Sequence, residues 1–162
     1  MEITIKRIDY LCGPKLSVYT VKKEGYAVTE YELFTKDLPV YRQSHPDEVK
    51  SFIDALDLMK ERGAKKHYFK PTWPQYLPKM DKESIEISDN NDYGTRLYVI
   101  RLRDDILILL NGGIKTTLKG QDCPKVGGYF KFTKKLEKKI DSLLVEKEID
   151  INNELHDVSI DL

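Results

Sequence analysis

The chain has 162 residues, of which 40% are hydrophobic and 33% are charged, and its 27 basic side chains balance 27 acidic ones. This length is sufficient for one domain with a core of its own. The longest apolar run, residues 106–110, is far shorter than the roughly 20 residues that span a membrane. Cys12 and Cys123 lack metal-type spacing, which excludes a zinc ribbon and a disulfide scaffold. We therefore expect a cytoplasmic protein with reduced thiols and no membrane partner.

The balanced net charge conceals two basic segments and one acidic segment. Residues 60–82 carry seven Lys or Arg against two acids, and residues 96–139 carry eleven against four, which gives +5 and +7. Residues 140–162 carry one against seven, which gives −6. Basic segments can bind phosphate backbones, although lysine-rich helix faces are often only solvated. The acidic segment is either a plain solvated terminus or an arm that folds back and weakens anion binding.

The first half of the chain predicts strands followed by a helix. Residues 2–10 and 16–23 flank a Gly-Pro turn and predict a β-hairpin, and the alternation over 26–34 predicts a third strand. Ser44-His45-Pro46 followed by two acids predicts a helix that begins at Pro46 and ends at Gly63, with another turn or two over 64–69. The proline-rich stretch 71–78 predicts a loop, in which Trp73 is expected to plug a hydrophobic seam.

The second half predicts a sheet and a last helix. Strands are expected over 83–88, 96–102 and 106–110, the last of them central because it is apolar on both faces. Asn111-Gly112-Gly113 is expected to end that strand, and a helix follows at about 130–147. The fold class is α+β: a small antiparallel sheet packed against an N-terminal helical segment and a C-terminal helix. One domain is expected over 1–149, followed by an acidic C-terminal tail over 150–162.

Residues 96–117 carry the most specific pattern in the chain. A strand that begins with Arg96, a tight turn and a hydrophobic strand lead into Asn111-Gly112-Gly113-Ile114-Lys115-Thr116-Thr117. This pattern resembles the hairpin core of RelE/ParE-like toxins, in particular the HigB-like branch, whose motif is His-Gly-x-x-Lys-Lys-Thr. Asn111 stands in the His position and Thr116 replaces the second Lys. By element order the resemblance covers 26–145, with a RelE-like core there and residues 1–25 as an N-terminal hairpin elaboration.

The resemblance implies the toxin of a bacterial type II toxin–antitoxin system. Such a protein is neutralised by a cognate antitoxin and cleaves mRNA, free or on the ribosome, with no metal and no other cofactor. In that reaction an RNA 2′-hydroxyl attacks the adjacent phosphate, which requires a base, an acid and cations around the phosphate. The resemblance assigns Arg96 to phosphate stabilisation and Lys115 to a phosphate clamp or acid. Arg101 is the third candidate for the catalytic site. Arg96 and Arg101 are five residues apart and should point to opposite sheet faces.

Other readings of the same residues remain open at this point. Arg96 could be an edge-strand charge and Lys115 a solvated loop lysine, and the three histidines are too scattered for a metal site. A non-catalytic protein of the same fold, acting on a protein target such as gyrase, is the alternative function. A ribonuclease predicts that Arg96 and Lys115 converge on an open basic face, whereas a binding module predicts that they are scattered or paired with acids. The lysines expected to bind RNA are Lys70, Lys79, Lys82 and Lys119.

Overall fold

The computed structural model describes residues 1–80 and 91–162. Within these residues it has six strands, β1 Glu2–Arg7, β2 Ser17–Lys23, β3 Gln75–Leu77, β4 Thr95–Arg103, β5 Ile106–Ile114 and β6 Ser159–Asp161. It also has four α-helices, α1 Glu30–Lys36, α2 Leu38–Ser44, α3 Pro46–Arg62 and α4 Gly127–Val145. The strand expected over 83–88 and the candidate Lys82 lie outside the described residues.

The strands form one sheet in the order β3-β4-β5-β2-β1-β6, which confirms the α+β prediction. The sheet is mixed rather than wholly antiparallel, because β2 pairs in parallel with β5. Strand β5 lies inside the sheet, as its apolar sequence predicts, and its residues Leu107 and Ile108 are both 0% exposed. Parallel pairing joins segments that are distant in the chain, and no local turn pattern encodes it.

Both terminal segments belong to this sheet. The N-terminal hairpin forms as predicted, but Val18 of β2 pairs with Leu107 of β5, so the hairpin extends the sheet instead of decorating it. At the other end of the chain, β6 pairs with β1 and places Ile160 opposite Ile3. Residues 150–162 are therefore not a loose tail, because apolar side chains such as Leu155 and Ile160, each 2% exposed, hold them against the core.

The strand predicted over 26–34 is wrong, since α1 forms there. Thr29 caps the helix: its hydroxyl accepts a hydrogen bond from the Glu32 backbone N–H, and the Glu32 carboxylate accepts one from the Thr29 N–H. This capping box satisfies two backbone donors and begins a helix that buries Tyr31 and Phe34. The alternating apolar pattern concealed the Thr-x-x-Glu spacing, which predicts a helix start.

The helices cover the two faces of the sheet separately. Helix α3 begins at Pro46 and ends at Gly63, as predicted, and the segment 64–69 adds only a 3-10 turn, Lys66–Tyr68. Helices α1 to α3 pack on the sheet face that carries Leu97 and Leu109, while α4 packs on the face that carries Ile100 and Ile108. The alternation along β4 therefore points the side chains at positions 96 and 98 toward the α4 face.

The structure differs from the prediction at the end of β5 and in the proline-rich stretch. Strand β5 continues through Asn111, Gly112 and Gly113 instead of ending there. A Cβ at Gly112 would lie 1.7 Å from the Arg96 carbonyl oxygen, so this glycine permits a close backbone approach rather than a chain reversal. The proline-rich stretch is not wholly a loop either, because β3 forms there and pairs with β4.

Candidate functional site

Arg96 lies on β4 beneath α4 and is only 5% exposed. Its guanidinium carbon lies 4.2 Å from the centre of the Tyr76 ring, and its Nη1 donates a hydrogen bond of 3.2 Å to the Thr95 carbonyl oxygen. A guanidinium over an aromatic face gains a cation–π attraction that is stronger where water is excluded. Arg96 is thus a fixed, buried positive charge.

Lys115 follows β5 and lies close to Arg96. Its backbone N–H donates to Gly94 and its carbonyl accepts from Tyr93, both at 2.9 Å, so the segment continues the β4–β5 ladder. Burial lowers the pKa of the Lys115 ammonium, the Arg96 guanidinium lowers that pKa further, and Cys123 opposes both effects. The side chain is half-buried, with its Nζ 5.4 Å from the Tyr93 ring centre. The two cations therefore converge, but Arg96 is covered rather than on an open face.

Cys123 completes this cluster just before α4. Thr116 donates its backbone N–H to the Cys123 Sγ at 3.3 Å, and the Thr116 Oγ1 lies 3.4 Å from the same sulfur. Burial alone would raise the pKa of the thiol, but the bonds from Thr116 and the backbone N–H groups of Val126 and Lys125 bring that pKa down to about 7. Amides at the start of a helix favour an anion at this position.

The Cys123 thiol should therefore ionise near neutral pH. In a Cys12→Ser background, we expect the ultraviolet absorbance of the thiolate to rise with a midpoint at pH about 7. Thr116→Val, which removes the hydroxyl, should move the midpoint upward, and Cys12→Ser/Cys123→Ser should show no such step. A midpoint near the ordinary value of 9.0 would contradict this account of the thiol.

Aromatic rings connect this cluster to α4. Tyr76 and Tyr98 meet edge to face with ring centres 6.3 Å apart, and Tyr98 meets Phe130 of α4 in the same way at 5.9 Å. Tyr98 packs in the core, at 2% exposure, and burial raises its pKa. Among the residues that the structure describes, the buried Tyr76 hydroxyl oxygen has no hydrogen-bond partner.

Arg101 is placed elsewhere. Its Nε donates a hydrogen bond of 2.6 Å to the Ala64 carbonyl oxygen, and its guanidinium forms an ion pair with Asp104. Since Ala64 belongs to the core beneath α1 to α3, Arg101 points to the opposite face from Arg96, as the five-residue spacing predicts. Arg101 is engaged in holding the end of α3 against the hairpin.

The predicted RNA-binding lysines lie in separate places. Lys70 and Lys79 line an open groove of about 780 Å³ beside α3, whose lining also includes Asp47 and Asp54. The Lys79 Nζ donates to the His67 carbonyl oxygen at 3.3 Å. Lys119 is exposed in the segment between β5 and α4, nearer to Lys115 along the chain. The structure brings Arg96 and Lys115 together and keeps the Lys70–Lys79 pair apart from them in the groove beside α3.

Two arrangements were not predicted. Trp73 is 47% exposed, so the expectation that it plugs a seam is wrong. His45, the residue before α3, forms no side-chain cap bond among the described residues, and its Nε2 lies 2.9 Å from an Asp92 carboxylate oxygen. This buried contact ties the start of α3 to the segment before β4. The sequence held no local pattern for it, because the two residues are 47 positions apart.

Comparisons of the chain with protein-family models, curated proteins and solved structures returned no match. Across residues 1–80 and 91–162, no helix is both long and apolar enough to cross a membrane. The same residues contain no group of three or more His, Cys, Asp or Glu side chains arranged to hold a metal ion.

Proposed function

We propose that the chain is the toxin of a toxin–antitoxin pair and that it cleaves mRNA without a metal. The observation that carries this proposal is the register of the β4–β5 hairpin, which pairs Arg96 with Gly113 and places Lys115 two residues further along the chain, within electrostatic reach of the guanidinium. These two cations are the first two of the three residues that the resemblance to HigB-like toxins places in the reaction, and the third, Arg101, bonds to Ala64 instead. A cognate antitoxin and a ribosome-bound substrate belong to the same proposal.

In this proposal Lys115 is the catalytic acid. Burial and the neighbouring guanidinium both favour its neutral form, which makes the ammonium a better proton donor at neutral pH than an ordinary lysine. It would deliver a proton to the 5′-oxygen that leaves when the 2′-oxygen bonds to phosphorus. The 2′-hydroxyl gives up its proton to solvent water as its oxygen bonds to phosphorus, and Lys115 regains its proton from solvent afterwards. The products are a 2′,3′-cyclic phosphate and a free 5′-hydroxyl, so atoms and charge balance.

Arg96 supports that step electrostatically, from its buried position on β4. Stacked on Tyr76 at 4.2 Å, its guanidinium supplies a positive field in a region that is largely shielded from water. Charge that develops on the phosphate is stabilised more strongly by such a fixed cation than by a solvated one. The field also acts on Lys115, so Arg96 has a positioning and tuning role in this scheme.

The two departures from the family motif have structural partners. The Asn111 side chain is buried and accepts a hydrogen bond of 2.7 Å from the Gly112 N–H, so it does not face a substrate. The Thr116 hydroxyl faces the Cys123 sulfur. The chemistry therefore rests on Lys115 rather than on the missing His and second Lys.

A second candidate function is supported by Arg101 and Arg96. Arg101 is paired with Asp104 and Arg96 is covered, which is closer to what a non-catalytic module that binds a protein such as gyrase predicts. An assay of gyrase supercoiling with the purified chain separates this candidate from the ribonuclease.

Expression in a bacterial host tests the proposal directly. Induction of the wild-type chain should arrest growth and create new mRNA 5′ ends, and Lys115→Ala should abolish both effects at equal soluble protein. Lys36→Ala is the matched control, since it removes an exposed lysine of α1 that no step of the proposal uses, and it should leave arrest intact. Normal growth with soluble wild-type protein, or arrest without new 5′ ends, would overturn the ribonuclease.

A further inference from the structure

An exposed tryptophan lies between two lysines on the outer side of α4. The Lys134 Nζ is 4.1 Å from the Trp73 ring centre and the Lys138 Nζ is 5.3 Å from it. The indole N–H donates to the Glu137 carboxylate, which holds the ring in one orientation. The ring is therefore fixed in place. At the same time 47% of Trp73 is exposed, so much of its surface meets solvent.

This tryptophan is continuous with the candidate site. Lys134 also lies 5.3 Å from the Phe130 ring centre, one helical turn earlier on α4. Phe130 contacts Tyr98, Tyr98 contacts Tyr76, and Tyr76 lies under the Arg96 guanidinium. One path of contacts therefore runs from the buried arginine through three aromatic rings to Lys134 and Trp73 at the surface.

We propose that Trp73, Lys134 and Lys138 form a platform on which one base of single-stranded RNA stacks, while the lysines contact the flanking phosphates. The identity of the ligand as RNA rests on the proposed function, but the platform itself rests on the geometry around Trp73. It would hold a nucleotide at some distance from the reacting phosphate and so supply affinity rather than chemistry.

Stacking suits this surface better than burial against a protein. An exposed aromatic ring flanked by lysines meets both needs of a single strand, a surface for the base and positive charge for its backbone. The hydrogen bond to Glu137 fixes the ring before binding, which reduces the entropy lost on association. Glu137 and the nearby Asp141 are unfavourable charges for phosphate, and Lys134 and Lys138 offset them.

Intrinsic fluorescence gives a direct test, because Trp73 is the one tryptophan in the chain. Titration with an oligouridylate of about eight nucleotides, within the usual range of single-strand site sizes, should quench this fluorescence. An abasic ribose-phosphate strand of equal length and charge should bind more weakly and cause little quenching. Equal quenching by the abasic strand or by polyglutamate would overturn base stacking and indicate a general polyanion site or an acidic protein partner, respectively.

Variants measured with labelled oligouridylate complete the test. Trp73→Ala should weaken binding by about 5- to 100-fold, the range for loss of one stacked base, and Trp73→Phe should recover most of the affinity. Lys134→Ala/Lys138→Ala should weaken binding and reduce the slope of log affinity against log salt by about 1.4. The matched control, Lys15→Ala/Lys36→Ala, removes two exposed lysines from the side of α1 to α3 and should change neither value.

The outcome separates the platform from the ribonuclease. Trp73→Ala should raise KM for RNA cleavage and leave kcat unchanged, since the ring does not touch the reacting phosphate. Base-dependent quenching by a chain that cleaves no RNA would retain the platform and reject the ribonuclease. Unchanged affinity in Trp73→Ala, with cleavage intact, would reject the platform and retain the ribonuclease.

Discussion

Lys115→Ala should reduce the rate constant for RNA cleavage by the purified chain by about 100-fold or more. General acid catalysis typically contributes about 10²- to 10⁴-fold, and the substitution removes both the proton and the positive charge. The measurement is single-turnover cleavage of a labelled RNA at saturating enzyme, so that a change in affinity does not enter the rate. Lys36→Ala, which removes an exposed lysine of α1, should stay close to the wild-type rate when measured beside it.

Lys115→Arg distinguishes an acid from a phosphate clamp. An arginine keeps the charge, but its pKa above about 12 makes it a very poor proton donor. If Lys115 is the acid, Lys115→Arg should remain within about tenfold of the alanine variant, a margin of about 1.4 kcal/mol in the barrier. Recovery of the wild-type rate by arginine would contradict the acid and support the clamp.

The pH profile provides an independent check on the same residue. An acid works only while protonated, so the rate should fall as pH rises through the pKa of Lys115. Because burial and Arg96 lower that pKa, the descending limb should lie below the ordinary lysine value of 10.5. The limb should vanish in Lys115→Arg, whose guanidinium stays protonated.

Gly112→Ala should cause the largest loss of stability among substitutions on the β4–β5 hairpin. The new Cβ would lie 1.7 Å from the Arg96 carbonyl oxygen and 2.7 Å from its carbonyl carbon, so the two strands would have to separate. Overpacking of a core usually costs about 1–3 kcal/mol, and a collision with backbone should reach or exceed the upper end of that range. Urea unfolding at equilibrium measures the change in free energy of unfolding.

Gly113→Ala is the matched control in the same strand. Its Cβ would come no closer than 3.5 Å to the nearest atom, a side-chain carbon of Val126, which is ordinary contact. We expect its free energy of unfolding to lie within about 1 kcal/mol of the wild-type value, as for other well-tolerated substitutions. Equal stability of Gly112→Ala and Gly113→Ala would show that the strands tolerate a side chain at this approach.

Local patterns in the sequence predicted the elements whose determinants lie close together in the chain. The start of α3 at Pro46 and the two antiparallel hairpins follow from capping residues, proline geometry and turn composition. Helix α1 was missed because the alternating side chains of 26–34 outweighed the Thr29–Glu32 spacing. The parallel pairing of β2 with β5 joins residues almost ninety positions apart, such as Val18 and Leu107, and no local pattern marks it.

The candidate site was predicted only in part for a similar reason. The motif singled out Arg96 and Lys115, and the structure brings them together. It could not reveal that Arg96 is covered by Tyr76, because that contact depends on a strand, β3, inside a stretch with three prolines. Cys123 and Trp73 each appeared isolated in the sequence, and only folding places the first beside Thr116 and the second against α4.

The pairing of β6 with β1 has a consequence for how another chain can bind. It brings the two chain ends together, with the Leu162 N–H donating to the Met1 carbonyl oxygen at 2.7 Å. One edge of the sheet is thereby formed by the chain's own last strand, and the other, within residues 1–80 and 91–162, is formed by β3, three residues between Pro74 and Pro78. Short edge strands, and edge strands flanked by proline, are poor templates for the addition of another strand. A protein partner should therefore recognise side chains on the helices and loops rather than add a strand to the sheet. A fusion tag at either end of the chain would lie at the sheet edge opposite β3.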